Sequence, residues 1–228
     1  MHRHLDKPIT RRGSLLALGG LAAGALGWKT DSALSAGEGP AGVASGAISC
    51  VLTPELTEGP YYISGEKVRR NITEGRPGVA LALELTVVDS STCKPIRGAS
   101  VDIWHCDALG VYSGVQGNTG TFMRGVQRTD ANGLVRFASV YPGWYTGRAV
   151  HIHVKVHVGG TVVHTGQFFF HDAVTDAVYT QAPYNTRGAR DVRDSSDSIY
   201  RNGGSRSLLA VTKSGAGYVG RITMGVHR

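Results

Sequence analysis

At 228 residues, 41% of them hydrophobic and only 18% charged, the chain is long enough to bury a full core and too apolar to stay unfolded. Its net charge of +7 comes from basic residues scattered along the chain. Without a basic stripe there is no footprint for nucleic acid, only a weak pull on acidic or phenolate-like small molecules.

The chain begins with a segment that is not part of a fold. Thr10-Arg11-Arg12-Gly13-Ser14 opens an apolar, Gly/Ala-rich run to about Trp28, followed by small residues from Ser32 to Ala36 where a signal peptidase could cut. A twin arginine before such a run resembles a twin-arginine export signal. Residues 1–36 are therefore expected to be a signal peptide, the run being too glycine-rich and short for a membrane span. The protein is expected to be secreted, without stable membrane insertion after processing. Residues 37–48, rich in Gly, Ala, Pro and Glu, read as a flexible linker, and 49–228 as one domain. Outside the reducing cytosol Cys50 and Cys93 could form a disulfide, leaving Cys106 as a buried thiol, although spacing alone leaves the pairing open.

Within the domain, Thr57-Glu58-Gly59-Pro60-Tyr61-Tyr62 is a turn followed by two aromatics, suited either to packing or to lining a pocket. Leu81–Val88 and Ala99–Cys106 are strand candidates, the second with Val101, Ile103 and Cys106 inward. A Gly-rich loop from Gly110 to Gly125 carries Tyr112, an Asn132-Gly133 turn leads into a strand near Leu134–Phe137, and Tyr141-Pro142-Gly143-Trp144-Tyr145 is another turn. The stretch Val150–Val154 alternates, so His151 and His153 share one face and Val150, Ile152 and Val154 the other. Gly159-Gly160 folds the next strand back as a hairpin, placing Gln167 across from the histidine face. A short helix is possible near Val174–Val178, Ala182–Ser205 reads as loop, and strands near Leu208–Val211 and Tyr218–Met224 close the domain. Short strands between regular turns, with no long amphipathic helix, predict an all-β sandwich of mainly antiparallel strands with long loops.

Two imidazoles at i and i+2 on a rigid strand form a wall that one metal ion can accept. The motifs around them, Glu58-Gly59-Pro60-Tyr61-Tyr62, Trp104-His105-Cys106-Asp107, Gly110-Val111-Tyr112-Ser113-Gly114, Pro142-Gly143-Trp144-Tyr145 and Gly147-Arg148-Ala149-Val150-His151-Ile152-His153, together resemble the intradiol ring-cleavage dioxygenases. The likeness spans about Cys50 to Ala182 and is nearest to the secreted branch similar to the protocatechuate 3,4-dioxygenase β-chain. It implies a β-sandwich holding one non-haem Fe(III) per chain through Tyr112, Tyr145, His151 and His153. It also implies catalytic roles for Tyr145, Arg148 and Gln167, with a catechol and O2 as substrates and a muconate-type diacid as product. Tyr145 would be the ligand that yields to substrate, and Arg148 would stabilise negative charge on the bound ring. Arg148 and Gln167, with Tyr61 and Tyr62 as the pocket wall, are the expected substrate contacts. The loop from Tyr145 to His151 is short for the family and Arg148-Ala149-Val150 departs from its pattern, which predicts a more open site.

Two other readings compete. A different metalloenzyme built on the histidine pair would need a carboxylate or a third histidine; His157 lies about 20 Å along the strand from His151, too far for one ion. A non-catalytic secreted sandwich binding carbohydrate or protein would use Trp144 and the tyrosines as a stacking platform. Oligomeric state is left open.

Overall fold

A computed structural model describes residues 50–228; the expected signal peptide and linker lie outside the described residues. Eight strands form two four-stranded sheets: β1 (Ala80–Asp89), β2 (Ser100–Trp104), β3 (Arg124–Arg128), β4 (Leu134–Val140), β5 (His151–Val158), β6 (Thr161–Phe169), β7 (Ala210–Ser214) and β8 (Gly217–Val226). The first sheet runs β4-β1-β8-β7 and the second β3-β2-β5-β6. All pairings are antiparallel except β1 with β8. This is the all-β sandwich that the strand pattern predicts.

The core lies between the sheets, and period-two alternation builds it. From β1 it takes Leu81, Leu83, Leu85 and Val87, from β8 Ile222 and Met224, and from the second sheet Val101, Ile103, Ile152, Val154, Val156 and Phe168. Strand β5 is buried on both faces: its apolar residues meet the core, while His151, His153 and Lys155 are buried on the outer face. That outer face is where the functional residues collect.

Three local expectations need correction. Arg124–Arg128 is a strand, not the end of the glycine loop; its polar composition hides it, and pairing with β2 from Ser100↔Arg128 to Trp104↔Arg124 creates it. Strand β2 stops at Trp104, so Cys106 joins a satellite cluster with Trp104 and Tyr112 instead of the main core. The segment taken as loop after Ala182 contains a short helix, α2 (Ser198–Arg201), capped by the Asp197 carboxylate. The helix expected near Val174 is α1 (Asp172–Tyr179).

Cys50 and Cys93 are joined in a disulfide with Cα atoms 5.3 Å apart, closing a separation of 43 residues. A loop of that length implies about 4 kcal/mol of denatured-state entropy. A Cys93→Ser variant is expected to lose up to that much unfolding free energy, measured by urea denaturation against the oxidised parent.

Candidate metal centre

One row across the second sheet carries most of the site. The register pairs Arg124 with Trp104, Trp104 with His153, and His153 with Gln167, so four consecutive strands present these side chains on one line. His151 lies two residues back on β5, on the same face. The hairpin places Gln167 opposite His153, as its turn predicts.

The imidazoles are fully enclosed. His151 Nδ1 lies 2.6 Å from the Ala149 carbonyl, which fixes that nitrogen as the donor and leaves the Nε2 lone pair facing inward. His153 stacks on Trp104 with centroids 4.9 Å apart and planes within 6°. The two Nε2 atoms are 3.1 Å apart. Burial, with the Arg148 charge added, drives His151 down to about 3, and burial together with His151 holds His153 well below its ordinary value, so both rings are neutral near pH 7. Gly59 permits the approach of the covering loop: its φ is +72°, and a Cβ there would lie 3.0 Å from His153 Cε1.

The tyrosines arrive on loops. In the Pro142-Gly143-Trp144-Tyr145 turn, Gly143 lies so close to the Ala108 carbonyl that a Cβ would sit 2.4 Å from its oxygen. That contact delivers Tyr145, whose Oη is 3.1 Å from His151 Nε2. Tyr112 packs edge-on to Tyr145 at 5.6 Å, and its buried Oη has no hydrogen-bond partner. Burial raises both phenols, Tyr145 to about 12 and Tyr112 well above its ordinary value. Two neutral imidazoles with converging Nε2 atoms, one orphaned phenol and a second phenol against His151 Nε2 form a donor set that fits a hard, highly charged cation, which alone would draw both phenolic protons off near neutral pH.

Arg148 is clamped from three sides. Its Nε donates to Asp197 Oδ2 at 2.8 Å, its Nη2 to Gln167 Oε1 at 2.6 Å, and its Nη1 lies 3.4 Å from His151 Nε2. Gln167 Nε2 donates in turn to the Thr57 carbonyl at 2.8 Å. Both ends of that amide are engaged with protein, so Gln167 holds Arg148 and the covering loop. Asp197, not foreseen from sequence, also accepts from the Ala149, Ile199 and Tyr200 amides. Its signal is a helix cap: an Asp directly before Ser198-Ile199-Tyr200.

Tyr61 faces the site, with its ring 4.7 Å from Tyr112 and 6.4 Å from Tyr145. Tyr62 does not; it packs behind Trp104 and carries the Lys155 ammonium over its ring. His105 has both ring nitrogens engaged, by the Cys106 carbonyl and Ser139 Oγ. Trp144 packs against the core with Arg187 over its ring, which removes the flat stacking platform that the carbohydrate reading needs. Among the described residues no group of three or more His, Cys, Asp or Glu side chains converges, so a metal centre without the tyrosines is not formed.

A cavity of about 570 Å3 lies elsewhere on the same sheet face, lined by Tyr62, Glu66, Asp102, Arg128 and His157. It holds none of the four converging donors. Burial, and then the Glu66 charge, pushes the Asp102 carboxyl up to about 7. A raised carboxyl means that the folded state holds a proton the unfolded chain has released, so stability falls as pH rises from about 4 to about 7. Asp102→Asn is expected to stabilise the protein at about pH 8, by up to about 4 kcal/mol, and to change little at about pH 4. Paired denaturation curves at the two pH values check this.

The chain matches the family model described as dioxygenase over residues 57–181. It is similar to the solved structure of an intradiol ring-cleavage dioxygenase from Tetranychus urticae, at 35% identity and a TM-score of 0.75, covering 78% of this chain and 95% of that one. It is also similar to the dioxygenase domain of a dioxygenase carbohydrate-binding protein fusion from the cellulolytic bacterium Streptomyces sp. SirexAA-E, at 30% identity and a TM-score of 0.61, covering 78% and 99%. Among curated proteins, catechol 1,2-dioxygenase 2 of Acinetobacter lwoffii is 34% identical over 134 residues, 56% of this chain and 46% of that protein. The chain thus spans about half the length of the curated relatives it matches.

Proposed function

Because the chain belongs to the intradiol ring-cleavage dioxygenase family, we propose that it is a secreted Fe(III) enzyme cleaving catechols between their two hydroxylated carbons to muconate-type diacids. The observation that carries this reading is the convergence of Tyr145 Oη, His151 Nε2 and His153 Nε2 within hydrogen-bond distance beside the orphaned Tyr112 Oη.

Tyr112, Tyr145, His151 and His153 would hold one non-haem Fe(III). When bound, the ion supplies a Lewis-acidic seat for the catecholate and electronic coupling to O2. The remaining work falls to the protein. Tyr145 Oη, a strong base once ionised because burial opposes its charge, takes a proton from the entering catechol. Tyr112, at 3% exposure beside the fully buried Ser113, stays in place. Arg148 presents a fixed cation beside His151 and stabilises negative charge developing on the ring. Gln167 and Asp197 hold that guanidinium, and Tyr61 forms the aromatic wall.

Export by the twin-arginine route, after removal of residues 1–36, belongs to the same proposal, as does membership in the branch similar to the protocatechuate 3,4-dioxygenase β-chain. Supporting export are the Arg11-Arg12 leader and the Cys50–Cys93 disulfide, a bond that persists in oxidising compartments. Among the described residues no helix is long and apolar enough to cross a membrane.

The test is a visible absorption spectrum of the iron-loaded protein, before and after catechol is added in air. A tyrosinate-to-iron band that shifts on addition, with diacid formed at the expense of O2, is the expected result. Colourless protein at full iron occupancy would remove the tyrosinate ligands and the proposal with them.

A further inference from the structure

Arg124 is fully buried on β3, at the end of the row that carries Trp104, His153 and Gln167. Burying a guanidinium is costly unless its donors are met, and here they are met in an unusual way. Nε reaches both the Ser113 carbonyl and Ser113 Oγ at 3.1 Å, Nη2 reaches the same carbonyl at 2.9 Å, and Nη1 reaches the Tyr61 carbonyl at 2.8 Å. All these acceptors are uncharged. The carboxylate in range, Glu66, stands 3.8 Å away, and its Oε1 accepts no hydrogen bond.

The two carbonyls belong to the residue after Tyr112 and to Tyr61, whose ring packs on Tyr112. One fork therefore ties the loop bearing Tyr112 to the loop that forms the aromatic wall. Its Cζ lies 6.0 Å from the Tyr112 ring centroid. Arg124 is itself held by Arg69, which donates to its carbonyl through Nε and Nη2 at 3.1 and 2.8 Å, and its acceptor Ser113 Oγ is held by a bond to the Phe122 carbonyl at 2.6 Å. The donor geometry is that of a planar five-donor group, which an ammonium cannot reproduce.

We propose that Arg124 is the positioning residue for Tyr112, fixing that side chain toward the metal through the Ser113 and Tyr61 carbonyls. Tyr145 has no such fork; its nearest guanidinium, Arg148, is engaged by Asp197 and Gln167. The pair is thereby made unequal, with Tyr112 anchored and Tyr145 free to leave. The proposal rests on the assignment of Tyr112 as a ligand.

The test compares iron-loaded wild type with Arg124→Lys, which keeps the charge and loses the fork. Four quantities are read: the visible band, the rate of iron release to a chelator, kcat and KM for catechol, and the melting temperature. The expected result is a shifted, weaker band, iron release about 10-fold faster, and kcat lowered about 10-fold with KM nearly unchanged. A lower melting temperature with native band, iron retention and kcat would make Arg124 structural only and overturn the proposal. If Arg124→Lys does not fold, Ser113→Ala removes one acceptor of the fork; a band shift in the same direction supports the proposal and a native band overturns it. A colourless wild type would instead defeat the ligand assignment itself.

Discussion

His153→Ala is expected to abolish iron retention, bleach the visible band and lower ring cleavage by at least about 1,000-fold. Loss of a residue that only supports a metal ligand costs about 10- to 100-fold, and loss of a ligand costs more. The protein has no substitute at this position. His157 lies beyond a register break between Val156 and His157 and lines the other cavity, and both nitrogens of His105 are engaged. The cavity left by the ring is closed on one side by Trp104, which would lose its stacking partner. Stability is expected to fall modestly, because the interior face of β5, built from Ile152, Val154 and Val156, is untouched. Metal content after dialysis, read with far-UV circular dichroism, separates loss of the ion from loss of the fold.

The site was legible from sequence where its chemistry is written in short-range pattern. His151 and His153 share a face because strands alternate, Gln167 faces them because a Gly-Gly turn sets a hairpin register, and the tyrosines stand in turns whose glycines mark close backbone contact. The sandwich followed from the same alternation in Leu81–Val87 and Val101–Ile103. What could not be read were residues whose importance comes from long-range contact. Arg124 sits in a stretch without strand pattern and gains its role only through pairing with Trp104, 20 positions earlier in the register that joins β2 to β3. Asp197 lies in a polar segment 49 residues from the arginine it holds. Tyr61 and Tyr62 are adjacent and chemically alike, yet alternation sends one ring to Tyr112 and the other to Trp104. Composition offers no way to choose between them.

Asp197→Ala is expected to keep the iron and its colour while lowering kcat/KM for catechol about 100-fold. None of the four converging donors touches Asp197, so the coordination set survives. What is lost is the clamp on Arg148. Asp197 Oδ2 accepts from Arg148 Nε and from the Ala149 amide, both at 2.8 Å, while Oδ1 caps α2 through Ile199 and Tyr200. Without it the guanidinium keeps only Gln167 as an anchoring acceptor, and displacing a charge-stabilising group by about 1 Å costs on the order of 100-fold. Asp197→Asn gives little rescue, because an amide nitrogen would meet N–H donors on one of its two sides. The acid limb supplies an independent check. Burial alone would raise the Asp197 carboxyl, but the Tyr200 and Ala149 amides and the Arg148 guanidinium outweigh it and hold it below the ordinary carboxylate range. A depressed carboxyl contributes stability that is complete above its unfolded value of about 4 and is lost as pH falls through the lower folded value. The stability gap between wild type and Asp197→Ala should therefore be constant from neutral pH down to about pH 4 and narrow below it. A slow variant that stays coloured, set against a colourless His153→Ala, would separate holding the metal from using it.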